Sequence, residues 1–327
     1  MDKSDLLDKI LELRHINTIL SNFIDVDISK DSRLHTSFSL VETGRLSSHE
    51  DELGKGMHLQ NIPGSSQSSS EEEVKFHTNV RKILIADEGK VLIEADKKQG
   101  EAMIVAWLAS ELRMKEVFKS GGDIHRKNAG YIFRKSEDSV TSNERYLAKR
   151  MVHASNYGMG SNTMAAYCRM SRNEAQVAQK RYFEAFPNIL SWQAKVRKEV
   201  KKTRVLTNPF GRRRVFFDRM GEDLFREAYA FVPQSTLVDD VNRSMIQIFC
   251  IAEPELQLLH QGHDSLLFQV VKSKVDWAIG VIRKNFELPF VCREDILTIP
   301  VEVKVGENWG EMKEVKYDQK RDGDRST

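Results

Sequence analysis

Two aspartates lie where a carboxylate can project from the end of a strand into a cleft. Asp96 ends the apolar run KVLIEAD, which a segment of helical period follows at once, and Asp264 lies in a turn before a predicted strand at 266–271. Two carboxylates that hold metal ions about 3.5–4 Å apart suit phosphoryl transfer, because one ion activates the attacking oxygen and the other neutralises the leaving group. Alone the pair is a weak signal, since a position near a helix N-terminus would equally give Asp96 a structural role.

A second candidate site lies along one predicted helix. Arg145, Lys149, His153 and Tyr157 recur every four residues and would span about 18 Å of one helix face. A surface helix commonly alternates charges at this spacing, but this face contains no acid. Its cations would suit a polyphosphate and its ring a nucleobase. A solvated basic stripe, with Tyr157 in the core, is the alternative.

The bulk composition indicates a globular chain. With 327 residues, 40% of them hydrophobic, it can form one large or two ordinary domains. Its three cysteines are far apart and form no CxxC pair, which argues against a disulfide framework or a zinc ribbon and fits a reducing cytoplasm. No apolar run reaches about 18 residues, and the charged N-terminal segment is unlike a signal peptide. We therefore expect a soluble, cytoplasmic protein without a membrane segment.

Charge alone does not indicate a nucleic-acid surface. The net charge is only +2, although 30% of the residues are charged, so such a surface must come from local clusters. Basic residues crowd 195–204 and 212–214. On composition alone, a solvated helix face followed by a basic loop is the better interpretation.

Hydrophobic periodicity predicts a mixed α+β chain. Helical patterns cover 4–24, the segment after Asp96, two stretches within 142–187 that are split near Gly158 and Gly160, and 221–251. Strands are predicted in RLHTSFSL, in KVLIEAD, which ends at Asp96, at 266–271 and in LTIPVEVKVGENW. The segment VLTNPFGRRRVFF has the pattern of a hairpin. The serine-rich acidic segment 64–73 is predicted to be a mobile loop, and 316–327 a frayed end. The strands are distant in sequence, so their sheet must form from non-local pieces.

Nine short motifs follow one another in an order that is known from one family. They are TGRLSS at 43–48, LQNIP at 59–63, ADKKQGE at 95–101, GGDIH at 121–125, RYLAKRMVHASNYG at 145–158, FGRRR at 210–214, PQS at 233–235, HDS at 263–265 and GENW at 306–309. The chain resembles the family A DNA polymerases, the group of bacterial polymerase I and its phage and mitochondrial relatives. Each motif is modest evidence, but their shared order makes coincidence very improbable.

The resemblance implies a fold and its divisions. It implies an α+β right-hand polymerase fold with an antiparallel palm sheet and helical fingers, and with a thumb that is largely absent. Residues 1–40 would hold a thumb remnant and the strand that leads into the palm. Residues 41–110 would form the first part of the palm with the loop 64–73, residues 111–220 the fingers, and residues 221–327 the second part of the palm.

The resemblance also assigns roles around the metals and the nucleotide. Asp96, Asp264 and the backbone carbonyl of Lys97 would hold two Mg²⁺ ions, with Mn²⁺ as an alternative. Arg145 and Lys149 would contact the triphosphate and offset the charge that develops on it. The same resemblance assigns nucleotide-binding roles to Gln99, His125, Glu101, His153 and Tyr157. Of these, Glu101 would crowd the 2′ position of the sugar and so exclude ribonucleotides.

Primer–template contacts are implied at six further positions. They would follow the minor groove and the backbone, which report duplex shape rather than sequence. The residues are Arg45, Gln60, Asn61, Arg226, Gln234 and His263.

The chain departs from the family pattern at several positions, which suggests a divergent, phage-like or other viral member. Lys97 and Lys98 replace an aromatic and a small residue. Ser265 replaces an acid, and His153 stands where an aromatic ring is usual. Gly100, Met103 and Ala230 also depart.

The N-terminal region is short for this family, since only about 40 residues precede TGRLSS. Either the chain is truncated, or a separate chain supplies the thumb or an exonuclease. A missing thumb would weaken the grip on duplex DNA, because fewer phosphates are neutralised.

The leading hypothesis is a DNA polymerase that uses dNTPs to extend a primer on template DNA. A single-subunit RNA polymerase is a second hypothesis, but Glu101 argues against it, because that class needs room for the 2′-hydroxyl. An inactive polymerase-like DNA-binding or replisome-scaffold subunit is a third. Against it stands the retention of Asp96, Asp264, Arg145 and Lys149.

Overall fold

A computed structural model describes residues 3–52, 55–63 and 79–315. The predicted loop at 64–73 and the predicted frayed end at 316–327 lie outside these residues. The helices are α1 Lys3–Ile19, α2 Gly100–Leu108, α3 Leu112–Lys119, α4 Ile124–Phe133, α5 Ser142–Asn156, α6 Ser161–Cys168, α7 Arg172–Ala185, α8 Pro187–Thr203, α9 Glu222–Ala252 and α10 Val275–Phe286. The strands are β1 Ser37–Leu40, β2 Leu46–His49, β3 Lys90–Lys97, β4 Val205–Thr207, β5 Arg213–Val215, β6 Gln257–Gln261, β7 Ser265–Val271, β8 Phe290–Cys292, β9 Asp295–Leu297, β10 Val301–Gly306 and β11 Lys313–Glu314.

A five-stranded sheet carries both aspartates. Its strand order is β11-β10-β3-β7-β6, and each neighbouring pair is antiparallel. The central strand β3 is covered on both faces. Val91, Ile93 and Ala95 pack in the cluster that includes α10, while Leu92 packs on the other face with Met57. Burial on both faces explains why β3 is a continuous apolar run rather than an alternating one.

A helical unit stands beside the sheet. Helices α2 to α8 share one large hydrophobic core with the first half of α9. The 31-residue α9 then continues beneath the sheet, where Val241 and Ile248 pack in the second core. One helix therefore links the helical unit to the sheet, which fixes the cleft between them.

The prediction of two helices within 142–187 was wrong, because this stretch contains α5, α6 and α7. Helix α5 ends at Asn156, and the chain turns at Gly158, where φ is +73° and a Cβ atom would lie 2.9 Å from the ring of Tyr229, so the position needs glycine. Helix α6 ends at Cys168, and its C-cap Arg169 is in the left-handed region. Helix α7 then begins with a capping box between Ser171 and Glu174.

The other predicted elements are confirmed, with shifted ends, except that the single helical segment after Asp96 is two helices, α2 and α3. The helical pattern at 4–24 is an α-helix to Ile19 followed by a short π-helix at Leu20–Ile24. The predicted hairpin is the pair β4 and β5, and the strand after Asp264 is β7. The helices α4 and α10, the strands β2 and β6, the short β8–β9 hairpin and the edge strand β11 were not predicted. Among the residues described, no helix is both long and apolar enough to cross a membrane.

Candidate active site

A cleft of about 580 Å³ lies between the sheet and the helical unit. It brings together every residue that the sequence assigned to the metals and the nucleotide. They are Asp96, Lys97, Gln99, Glu101, His125, Arg145, Lys149, His153, Tyr157 and Asp264. Asp96 and Asp264, which are 168 positions apart in sequence, therefore lie close together in the fold, mainly because β3 pairs with β7.

The two aspartates lie side by side at one end of the sheet. Asp96 is directly opposite Ser265 on β7 and Glu302 on β10. Asp264 precedes Ser265, and its backbone carbonyl accepts a hydrogen bond of 2.9 Å from the N–H of Lys97. The N-cap of α2 is Gln99, so Asp96 does not cap that helix.

Both carboxyl groups hold their protons more tightly than free aspartate does. Burial, then the charges of Asp264 and Glu94, raise the pKa of Asp96. Burial and the charge of Glu101 also raise the pKa of Asp264. Crowded carboxyls of this kind repel one another when ionised, and a divalent cation between them would relieve that repulsion.

The donor set at this end of the sheet fits Mg²⁺. Among the residues described, no three His, Cys, Asp or Glu side chains lie close enough to form a complete protein cage for a metal. Mg²⁺ commonly binds one or two carboxylates and completes its shell with water and substrate phosphates. The carboxylates of Asp96 and Asp264 match that pattern of open coordination.

Glu101 is the centre of a hydrogen-bonded cluster at the start of α2. Its carboxylate accepts from Arg45 Nη2 at 2.5 Å and from the Tyr157 hydroxyl at 2.7 Å, and it lies 3.3 Å from His153 Nε2. Burial opposes ionisation, but the hydrogen bond from His153, the charge of Arg45 and the hydrogen bond from Tyr157 outweigh it, so the pKa of Glu101 falls to about 2. The face of α5 that carries Arg145, Lys149 and His153, followed by Tyr157, contains no acid, and we call it the α5 face. Its acidic partner is Glu101, which lies on α2.

Asp123 contacts the N-terminal end of the α5 face at Arg145. Arg145 Nε donates to Asp123 Oδ2 at 2.5 Å, while Asp123 Oδ1 accepts from the backbone N–H of His125 at 3.0 Å and caps α4. Burial, then the charges of Lys149 and Arg145, lower the pKa of His125 to about 4. The imidazole of His125 is therefore neutral at neutral pH, beside the cations of Lys149 and Arg145, the second of which is paired with Asp123.

Gln99 is fixed at the floor of the cleft. Its backbone adopts the left-handed conformation at the N-cap of α2, with φ of 55°. Its side-chain Oε1 accepts from the backbone N–H of Ile124 at 3.2 Å. This bond couples the start of α2 to the start of α4, so the amide N–H₂ group of Gln99 is directed by both helices.

The residues assigned to primer and template are more dispersed. Arg45 is part of the Glu101 cluster, and Gln60 Nε2 donates to the carbonyl of Gln261 at 3.0 Å, which ties the motif at 59–63 to the sheet. His263 is exposed beside Asp264. None of the six residues assigned to primer and template lines the cleft itself, and that includes Asn61, Arg226 and Gln234.

Two contacts in and behind the cleft were not predicted from the sequence. One is Asp123, whose position before α4 is a capping signal that the motif GGDIH contains. The other is the side chain of Lys97, which does not point into the cleft. Its ammonium is fully buried and lies 2.6 Å from a carboxylate oxygen of Asp240, which is also fully buried. No pattern in the sequence connects two residues that are 143 positions apart (97 to 240).

Comparisons with known proteins identify the family that the chain resembles. The sequence model of the family described as "DNA polymerase family A" matches residues 1–311. The chain is 29% identical over 324 residues to the thermostable DNA polymerase I of Thermus aquaticus, covering 94% of this chain and 37% of that protein. It is 30% identical over 329 residues to DNA polymerase I of Treponema pallidum, covering 95% of this chain and 31% of that protein.

A solved structure has a similar fold. It is the POL domain of Pol1 from M. smegmatis in complex with DNA primer-template and dNTP, which matches with a TM-score of 0.76 and 26% identity over 90% of this chain and 50% of that one. The chain spans about a third of the length of the curated relatives it matches.

Proposed function

The chain belongs to DNA polymerase family A, and from this premise we propose that it adds dNTPs to a primer 3′ end on template DNA by two-metal-ion nucleotidyl transfer. The observation that carries the proposal is the single cleft in which two crowded carboxylates face a helix with two cations. The related M. smegmatis structure holds DNA primer-template and dNTP, which supports the same ligands here.

In the proposed reaction the primer 3′ hydroxyl gives up its proton to solvent, its oxygen bonds to the α-phosphorus of the dNTP, and the bond to the leaving pyrophosphate breaks. Asp96, Asp264 and the Lys97 carbonyl would hold the ions. The chemistry supplied by bound Mg²⁺, or by Mn²⁺ as the alternative, is activation of the attacking oxygen and neutralisation of the leaving group. Arg145 and Lys149 bind the triphosphate and offset the charge that develops on it.

The remaining residues of the cleft select and orient the nucleotide. His125, which is neutral, offers a ring N–H to a phosphate oxygen, and Gln99 offers its fixed amide. Glu101 occupies the space beside the sugar, and its bonds to Arg45 and Tyr157 hold it there. His153 packs edge-on against Tyr157, with ring centroids 4.7 Å apart, and the two rings border the positions of the incoming and template bases.

The primer and template would lie across the palm. We assign their contacts to Arg45, Gln60, Asn61, Arg226, Gln234 and His263. In the same proposal, residues 41–110 and 221–327 form the palm, residues 111–220 the fingers, and residues 1–40 a thumb remnant.

We further propose that a polypeptide segment supplying more of the thumb packs on α1. This helix exposes large apolar side chains, with Leu7 56%, Leu11 54% and Leu13 59% exposed. Leu7 and Leu11 are one turn apart on the helix, and exposed apolar side chains that lie together in this way can mark an interaction site. Substitution of Leu7 and Leu11 by Ser should lower processivity only when that segment is present, as measured by the length of extended products.

Primer extension on a defined template tests the proposed function. The protein is supplied with dNTPs or rNTPs and with Mg²⁺ or Mn²⁺, beside Asp264→Ala and the matched control Asp138→Ala, which removes an exposed aspartate outside the cleft. We expect dNTP extension by the wild type and the control, and none by Asp264→Ala. Extension with rNTPs only would favour an RNA polymerase. Absence of extension would favour a DNA-binding or scaffold subunit.

A further inference from the structure

We propose that Lys97 is a positioning residue, and that its buried ion pair with Asp240 fixes the two metal-binding aspartates relative to each other. The inference rests on the proposed function. It assigns a role to a side chain that lies behind the reaction site rather than in it, at a position where the chain departs from its family.

The backbone of Lys97 joins the two segments that carry the carboxylates. Lys97 directly follows Asp96 at the end of β3, and its N–H donates to the carbonyl of Asp264 at 2.9 Å. The next residue, Lys98, donates its N–H to the carbonyl of Pro300 at 2.8 Å. A shift of the backbone at Lys97 would therefore move Asp96 and Asp264 apart.

The side chain of Lys97 anchors that backbone to two helices. Its Nζ lies 2.6 Å from Asp240 Oδ2 in the middle of α9, with both side chains fully buried. The same Nζ donates to the carbonyl of Phe286, the last residue of α10. A cation at a helix C-terminus is favoured by the carbonyl groups that end there. The ammonium of Lys97 thus connects β3, the strand that carries Asp96, to α9 and α10.

Asp240 is itself held on its second oxygen. Arg243 Nη2 donates to Asp240 Oδ1 at 2.8 Å and also donates to the carbonyl of Leu288 at 3.0 Å. The carboxylate of Asp240 therefore has one cation at each oxygen. Rotation of this carboxylate would break its pair with Lys97 and leave a buried charge unpaired.

Stability alone is a poor explanation for this pair. Taking two charges out of water costs several kcal/mol per ion, and apolar residues of similar volume commonly replace a buried ion pair with no net loss of stability. What an ion pair adds is direction, because an ammonium and a carboxylate tolerate fewer arrangements than two apolar side chains do. At Lys97 this constraint acts on the residue that follows Asp96 and whose N–H donates to the carbonyl of Asp264.

The test replaces the pair without removing any proposed metal ligand. In the double variant Lys97→Met/Asp240→Leu both buried charges disappear together, and the backbone carbonyl at position 97 remains. A single Lys97→Met variant leaves Asp240 paired with Arg243. The matched control is Lys115→Met/Asp295→Asn, which removes another Lys–Asp ion pair that joins α3 to β9 away from the cleft.

Three readouts separate positioning from a structural role. They are thermal unfolding without metal, Mn²⁺ affinity from the free Mn²⁺ signal in electron paramagnetic resonance, and primer extension as a function of Mg²⁺ concentration. We expect the double variant to fold, to bind Mn²⁺ at least about tenfold more weakly, as is common when a residue that orients a metal ligand is changed, and to extend primers only at raised Mg²⁺. The control should match the wild type in metal binding and extension.

Each other outcome has a definite meaning. If the folded double variant binds Mn²⁺ and extends primers as the control does, the positioning role is overturned while the proposed function stands. If both Lys97 variants unfold while the control stays folded, the pair holds the fold only, and the positioning role is again overturned. If the wild type neither binds Mn²⁺ nor extends primers, it is the proposed function that fails.

Discussion

Glu101 combines bulk and charge at the point where the sugar of a nucleotide would lie. Its carboxylate is ionised at all ordinary pH values, since its pKa is about 2, and it holds Arg45, His153 and Tyr157 around it. The two properties can be separated by substitution, because glutamine keeps the volume of the side chain and alanine removes it.

We predict that Glu101→Ala relaxes the choice of sugar. Ribonucleotide insertion relative to deoxyribonucleotide insertion should rise by roughly tenfold or more, the effect expected when a small steric block is lost. Glu101→Gln should retain most of the discrimination. The measurement is kcat/KM for dNTP and for rNTP in single-nucleotide insertion. Equal discrimination by the wild type and Glu101→Ala would show that another residue excludes the 2′-hydroxyl.

His125 should make the stability of the protein depend on pH. Burial and its cationic neighbours lower the pKa of His125 to about 4, from 6.5, so the unfolded state binds more protons between these two values. Stability from this residue is therefore present above pH 6.5 and is lost as the pH falls toward 4, by at most about 3 kcal/mol.

Chemical denaturation between pH 7 and pH 4 measures this loss. In His125→Gln the free energy of unfolding should fall less steeply over that range. His49→Gln, a histidine outside the cleft, should keep the slope of the wild type. The same slope in His125→Gln and the wild type would mean that His125 is protonated as readily in the folded state as in the unfolded state.

The residue types of the cleft could be predicted from sequence, but their partners could not. Asp96, Asp264 and the residues of the α5 face lie in short motifs that can be recognised from the local sequence. Arg45 and Glu101 are 56 positions apart, and Lys97 and Asp240 are 143 apart. Such pairs depend on the packing of whole elements, which periodicity does not specify.

At the scale of elements, α4 and α5 place the cations of the cleft. Asp123 connects them, since it caps α4 and pairs with Arg145 on α5. Asparagine is as good an N-cap as aspartate but has no charge, so the two roles of Asp123 can also be separated.

We predict that Asp123→Ala lowers the free energy of unfolding by about 1 kcal/mol relative to Asp123→Asn, because alanine cannot cap the helix. Urea denaturation of both variants measures the difference. Both should raise KM for the dNTP, because Arg145 loses the carboxylate that holds it. A KM unchanged in both variants would show that Arg145 needs no such support to bind the triphosphate.

The elements themselves could be predicted where a strong local signal exists. The capping boxes at Thr141 and Ser171 mark the starts of α5 and α7, and reading the second one would have separated α6 from α7. The strands β8, β9 and β11 have three, three and two residues, and segments this short carry too few positions for a periodic signal.

At the scale of the whole molecule, the sheet and the helical unit are joined along α9. Its first half packs with the helices and its second half with the sheet, so the walls of the cleft cannot separate without bending that helix. The order of the sheet could not be predicted, because β3, β7 and β10 come from distant parts of the chain. Their apolar content predicts burial, but not which strand becomes the neighbour of which.

The central claim is that Asp96 and Asp264 together enable nucleotide insertion. It is tested most directly by the rate of a single dNTP insertion into a primer under single-turnover conditions with saturating Mg²⁺, for the wild type, Asp96→Ala, Asp264→Ala and Asp138→Ala. We predict that each cleft variant loses at least about a thousandfold in rate, since the ions that the two aspartates would hold supply several kcal/mol, and that Asp138→Ala matches the wild type. Insertion by Asp96→Ala or Asp264→Ala at the rate of Asp138→Ala would contradict this account.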